Sequence, residues 1–129
     1  MGLAAWELTV LLRSHPSVND ATRLERDVRR CLEREPIALL PGLIFPHVRS
    51  AAVDDFVLVA GRSPRGICVA GNPAPIQLVF MLASPVAEVS GHLALIARLA
   101  RHLAQPGMME RLIAAEEAGR FAQILHAGG

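Results

Sequence analysis

At 129 residues, with 52% hydrophobic and 19% charged positions, the chain has enough apolar material for an ordinary core without staples and is not a disordered sequence. Thirteen basic residues, all of them arginine, face twelve acidic ones; the net charge of +1 removes any bulk electrostatic case for nucleic acid or an anionic membrane. No uninterrupted apolar run approaches the ~20 residues of a membrane helix, so the expectation is a single domain over residues 1–129 that is not membrane-embedded and binds no nucleic acid.

Leu3, Trp6, Val10 and Leu11 recur at three- and four-residue spacing and predict an opening helix. It should end near Arg13, because His15-Pro16 disfavours helical geometry. This start is apolar, but it has no basic leader and is interrupted by Glu7; it does not read as a signal peptide, and a cytoplasmic location is expected. Cys31 and Cys68 stand far apart and outside any metal-ligand spacing. Two isolated cysteines suit a reducing compartment, with a single disulfide as the alternative.

Asn19 or Asp20 is the expected N-cap of a second helix, with Leu24, Val28, Cys31 and Leu32 as its apolar stripe. Arg23, Arg26, Asp27, Arg30 and Glu33 cover its other sides. Acidic residues are interleaved with these arginines, so a solvated face is preferred to a nucleic-acid surface, docking of a protein partner being the other reading. Pro36 closes the helix and leaves Arg34 in its last turn, where the helix dipole favours a cation by roughly 0.3–1 kcal/mol. Ile37 to Pro41 then reads as an apolar linker.

The rest of the chain is organised around the stretch Gly42-Leu43-Ile44-Phe45-Pro46-His47-Val48-Arg49-Ser50. An apolar run bounded by Gly and Pro reads as a buried strand, and Pro46, lacking an amide N–H, should mark its end. His47 is then expected at the strand exit, held yet reachable from solvent, with Arg49 completing a small cationic pair suited to an anion. Phe56 to Ala60 is a second predicted strand, ended by Gly61. Arg62 to Gly66 reads as a turn into a short strand at Ile67-Cys68-Val69, and Gly71 to Pro75 as a loop.

Gln77 to Ala83 is apolar enough to be buried on both faces and should lie centrally in the sheet. After Pro85 the period changes. Ser90 is the expected N-cap of a helix carrying Leu93, Ile96, Leu99, Ala100 and Leu103 to about Ala104, where Pro106-Gly107 breaks it. Met108 to Ala115 and Glu117 to His126 read as two short helices or one bent one. The order of elements predicts an α/β fold, a small mixed β-sheet flanked by helices.

Three motifs in this order carry a family resemblance: Gly42 through Arg49 after Arg34-Glu35, the strand Leu78-Val79-Phe80-Met81-Leu82-Ala83-Ser84-Pro85, and the helix His92-Leu93-Ala94-Leu95-Ile96-Ala97-Arg98-Leu99-Ala100. Over about residues 3–125 the chain resembles the enzyme IIA domain of the mannitol/fructose type from the bacterial phosphoenolpyruvate:sugar phosphotransferase system, whose nitrogen-regulatory members share the pattern. The resemblance implies a phosphocarrier. In that family the histidine of the Pro-His segment, matched by His47, takes a phosphoryl group from the carrier HPr and passes it to an enzyme IIB partner. The histidine opening the third motif, matched by His92, lines the same pocket. An arginine ending the second helix, matched by Arg34, belongs to the site, and Arg49 is a candidate contact for phosphate or partner. The chain carries no IIB segment of its own, so the partner is expected to be a separate enzyme IIB or a regulatory target.

The chemistry fits these residue types. An imidazole with pKa about 6.5 is largely unprotonated at neutral pH and can serve as the nucleophile. A phosphoryl group in transfer needs positioning and cationic donors, and a guanidinium can hold two of its oxygens. His92 would sit in the first turn of its helix, where the dipole favours anions. No metal or cofactor is required. Plainer readings stand beside these: a structural histidine after a strand, a polar helix start for His92, and the dipole alone for Arg34. His15, His102 and His126 are expected on surfaces or helix ends. Asp54-Asp55 either pairs with an arginine or offers metal ligands with His47, without zinc-type spacing. One departure is visible: the family's Ser-Thr-Gly-like stretch before the Pro-His strand is replaced by the shorter, hydroxyl-free Pro36 to Pro41. A non-catalytic regulatory module that keeps the fold and binds a partner is therefore the alternative function.

Overall fold

A computed structural model describes residues 14–33, 38–68 and 74–127. The predicted opening helix, Arg34 and most of the Gly71–Pro75 loop lie outside the described residues. The elements are α1 (Ala21–Glu33), β1 (Ala38–Leu40), β2 (Leu43–Ile44), β3 (His47–Ser50), β4 (Val57–Ile67), β5 (Ile76–Pro85), α2 (Val89–Leu103), α3 (Met108–Ala114) and α4 (Ala118–Ala127). Asp20 caps α1 as the sequence suggests, its Oδ1 accepting the Arg23 amide at 3.1 Å.

The predicted central strand occupies that place. β5 pairs in parallel with β2 and β3 along one edge and antiparallel with β4 along the other, giving the mixed sheet expected from the element order. From Leu78 to Ala83 its side chains alternate between two cores, and Ile76, before that run, joins the first of them. Ile76, Val79, Met81 and Ala83 pack with Leu24 and Val28 of α1. Leu78, Phe80 and Leu82 pack with Leu99 and Leu103 of α2, Leu112 of α3 and Ile124 of α4. A period of two places successive residues on opposite faces, and both faces are covered by helices, which is why the strand reads as a continuous apolar run.

Four local expectations are corrected, the first in part. Pro46 interrupts the strand, β2 stopping at Ile44 and β3 starting at His47, but it does not end the line of pairing. Leu43 faces Leu78 and His47 faces Leu82 in one unbroken register, so β2 and β3 are two halves of a single line of pairing. Pro46 has no N–H to donate, but its carbonyl still accepts the Leu82 amide at 3.0 Å. The Ile37–Pro41 linker is in part a strand, since Ala38–Leu40 folds back antiparallel on β2 through Pro41-Gly42. Gly42 takes φ +83°, as the second residue of such a Pro-Gly turn requires.

The Arg62–Gly66 segment is not a turn between strands either. β4 runs through it, with its register slipping between Arg62 and Ile67, and Pro64 is tolerated because β4 is an edge strand. Finally, α2 begins one residue before Ser90, with Glu88 at the N-cap position and no side-chain cap.

Candidate functional site

The site forms at the free edge of β3, where α1 packs beside the strand and the start of α2 approaches from the other face. An open hollow of about 530 Å³ is lined by His47, Val48 and Arg49 from β3, Asp27, Arg30 and Cys31 from α1, and Val89, His92 and Leu93 from α2. Three of the four residues singled out from the sequence, His47, His92 and Arg49, therefore meet. Arg34 lies outside the described residues.

Parallel pairing with β5 aims His47 and Arg49 to the face that carries α2, while Val48 turns to the α1 core. His47 is exposed, and its Nδ1 lies 3.0 Å from the carbonyl oxygen of Phe45. A carbonyl only accepts, so Nδ1 carries the proton in that hydrogen bond and Nε2 of the neutral ring keeps a free lone pair. The Phe45 ring packs edge-on against His47, with centroids 5.8 Å apart, and restrains the imidazole further. Pro46 thus has a second effect: the break in pairing turns the Phe45 carbonyl toward a side chain two residues on.

The His92 ring lies 5.4 Å from that of His47, centroid to centroid. In contrast to exposed His47, it is 6% exposed, and its Nδ1 is 2.7 Å from Oγ of fully buried Ser84. Its amide already donates to the Glu88 carbonyl at 2.9 Å, so His92 meets the hollow with its ring rather than with a free helix N–H. Burial pushes the His92 pKa down from 6.5, and the neighbouring His47 and Arg49 charges act in the same direction. The consequence for stability has a definite sign. Between pH 6.5 and the lowered folded value, the unfolded chain takes up a proton that the folded chain refuses. Stability should decline as pH falls through that window and level off below it. Urea titrations of wild type and His92→Gln across that range are expected to show a shallower decline in the variant.

Behind the hollow, Ser50 Oγ donates to Asp27 Oδ2 at 2.6 Å and accepts the Ala52 amide at 3.1 Å, tying α1 to the end of β3. Arg23 Nε adds a longer ion pair to the same carboxylate oxygen at 3.9 Å. Ser50 is buried, so Ser50→Ala removes a charge-assisted hydrogen bond and should cost about 1–3 kcal/mol in equilibrium unfolding. Cys31 is half-buried and its thiol donates to the His47 carbonyl at 3.3 Å, satisfying an acceptor on the open edge of β3; both cysteines are free.

Several residues behave differently from the sequence reading. Among the described residues Asp54 and Asp55 pair with neither His47 nor an arginine: Asp54 Oδ1 accepts from Asn19 Nδ2 at 2.8 Å and Asp55 Oδ1 from the Phe56 amide at 2.7 Å. His102 sits at a helix end as expected, in the last turn of α2, but is buried there rather than exposed, while Leu93, placed in the apolar stripe, is 61% exposed at the rim of the hollow. His15 is at the surface as expected, accepting the Ser17 amide through Nδ1. Arg30, assigned to the solvated face, and Ser84, within the apolar strand, are additions to the site. Arg30 could have been found from its position one turn before Arg34, and Ser84 from being the one hydroxyl in an otherwise apolar run.

Among the described residues no helix is long and apolar enough to cross a membrane. The fold is similar to that of the nitrogen regulatory protein IIA-Ntr from Neisseria meningitidis, with a TM-score of 0.80 at 23% identity over 95% of this chain and 84% of that one. It is similar also to IIA mannitol from Escherichia coli, with a TM-score of 0.74 at 20% identity over 95% of this chain and 86% of that one. A third similar structure is the complex of enzyme IIAMTL and phosphorylated enzyme IIBMTL from Escherichia coli, with a TM-score of 0.77 at 17% identity over 96% of this chain and 85% of that one. Among curated sequences, the fructose-specific EIIABC component of the Bacillus subtilis (strain 168) phosphotransferase system is 24% identical over 123 residues, which are 93% of this chain but 19% of that protein. Residues 8–128 match the family described as "Phosphoenolpyruvate-dependent sugar phosphotransferase system, EIIA 2", and the chain belongs to that family.

Proposed function

We propose that this chain is a phosphocarrier in which His47 accepts a phosphoryl group from an HPr-like phosphohistidine donor and hands it to an enzyme IIB partner or a regulatory target. The observation that carries this reading is the Nδ1 hydrogen bond of His47 to the Phe45 carbonyl, which leaves Nε2 as the nucleophile at an exposed edge. In the forward step the Nε2 lone pair forms a bond to phosphorus while the donor's N–P bond breaks, its electron pair returning to the donor imidazole. The His47 ring becomes a phosphoryl-imidazolium, and the Phe45 carbonyl stabilises its positive Nδ1–H. In the onward step the same bond breaks toward the acceptor.

The transition state is loose and carries negative charge on its equatorial oxygens, so positioning and electrostatics dominate. Arg49 and Arg30 line the hollow and supply cations there. His92, with its pKa lowered, stays neutral and offers one hydrogen bond. Arg34, which follows α1 in the sequence, is proposed as a further phosphate contact. Neither the transfer nor the site calls for a metal or cofactor. Exposed Val89 and Leu93 at the rim suit contact with a partner protein.

Incubation with phosphoenolpyruvate, enzyme I and HPr, read by intact mass, should add one acid-labile phosphoryl group to the chain. Omitting HPr should prevent it. Failure to label with a competent HPr would instead support the non-catalytic regulatory module.

A further inference from the structure

We propose that Ser84 is a positioning residue that fixes His92 as the Nε2–H tautomer, so that a hydrogen-bond donor faces the phosphoryl group on His47. The inference rests on the phosphocarrier reading for its functional consequence, but the tautomer itself follows from burial. A neutral histidine has one protonated and one bare nitrogen, and a serine hydroxyl can donate or accept. The 2.7 Å contact between His92 Nδ1 and Ser84 Oγ is therefore compatible with either direction on distance alone.

The difference lies in where the remaining hydrogen goes. Ser84 is 0% exposed, and among the described residues its Oγ has His92 Nδ1 as its one hydrogen-bond partner. If Nδ1–H donated to Ser84, the hydroxyl hydrogen would be left buried and unpaired. Leaving a buried donor unmade is the costly side of hydrogen bonding, whereas the net gain from one extra bond is modest. If the hydroxyl donates to Nδ1, nothing buried is left over. Nε2 then carries the proton, and it bonds to none of the described residues while its ring lines the hollow, where water can satisfy it. The buried end of the ring thus decides the state of its accessible end.

The placement follows from the strands. Arg49 and Ser84 are register partners on β3 and β5, and Ser84 lies two residues beyond Leu82 on the α2 face of the sheet. The strand that forms the core therefore also delivers the hydroxyl under the helix that brings His92 to His47. The opposite tautomer would aim a lone pair at the phosphoryl oxygens and repel them. Ser84 touches neither substrate nor reacting atoms; it acts through His92.

Long-range proton–nitrogen NMR of the unphosphorylated protein, above the His92 titration, reads the tautomer directly. The expected spectrum shows His92 with Nε2 protonated and Nδ1 bare; Nδ1–H at His92 overturns the proposal. Ser84→Ala, which leaves a smaller side chain in the core, is expected to lower the rate of phosphoryl transfer from phosphorylated HPr roughly tenfold, at an unchanged KM for HPr. An unchanged rate overturns the positioning role, as does a loss confined to KM. The two readings fail separately: an unlabelled wild type defeats the phosphocarrier and with it the catalytic consequence, while a labelled wild type with the other tautomer defeats this inference alone.

Discussion

His47→Ala is expected to take up no phosphoryl group from phosphorylated HPr under conditions that label the wild type fully, and to retain its fold. Both halves follow from the geometry. His47 is exposed at the edge of the sheet, and its ring contacts are with Phe45 and His92, so its removal opens no cavity in either core. Surface substitutions of this kind usually change stability by less than about 0.5 kcal/mol. The chemical loss is complete because the alternative nitrogens are poorly placed. His92 Nδ1 is engaged with buried Ser84, and its ring is largely covered. His102 is buried in α2 on the core side, away from the residues lining the hollow. Label persisting on the alanine variant would move the acceptor elsewhere.

The largest effect on stability is expected at Phe80. It is fully buried at the middle of β5, with the Phe45 ring at 6.5 Å and the Phe121 ring at 6.1 Å, centroid to centroid. Phe80→Ala removes a whole aromatic ring from between the sheet and α4 and should cost about 3–5 kcal/mol, the range for truncating a core aromatic. That is a large share of the ~5–15 kcal/mol by which domains of this size are stable. Urea unfolding should show a lower midpoint with little change in slope. A cost under about 1 kcal/mol would mean that the α2–α4 core is not packed as described. The substitution also reaches the site, because Phe45 rests on Phe80 and its carbonyl holds the His47 ring. Phosphoryl transfer in a folded Phe80→Ala protein should therefore be slowed, not abolished.

How legible each segment is in the sequence depends on its physical surroundings. β5 is legible because a strand covered on both faces must be apolar at every position, and Leu78 to Ala83 are. The α1 stripe at Leu24 and Val28 is legible because a helix packed on one side shows a 3.6 period. α2 is harder. His92 and His102 occupy its buried side and Leu93 its exposed side, so a rule that sorts residues by polarity misassigns all three.

β4 reads as too short because its polar Arg62–Gly66 segment looks like a turn. An edge strand tolerates proline and register slips that a central strand does not. Pro46 reads as an end because the missing N–H is visible in the sequence, whereas the carbonyl that keeps the register is not. At the site, His47, His92 and Arg49 are legible through the motif pattern. Arg30 and Ser84 carry weaker signals, a position one turn before Arg34 and a lone hydroxyl after an apolar run, and they join the other three only once α1 and β5 are packed beside β3.

In the proposed transfer, Nε2 of His47 receives the phosphoryl group while Nδ1 stays protonated against the Phe45 carbonyl. Proton–nitrogen NMR of the nitrogen-15-labelled protein, recorded before and after incubation with phosphoenolpyruvate, enzyme I and HPr, tests it most directly. The expected result is a single phosphorylated ring, His47, with phosphorus coupled to Nε2 and a proton held on Nδ1. Phosphorus on Nδ1 of His47, or on any other histidine, would contradict it.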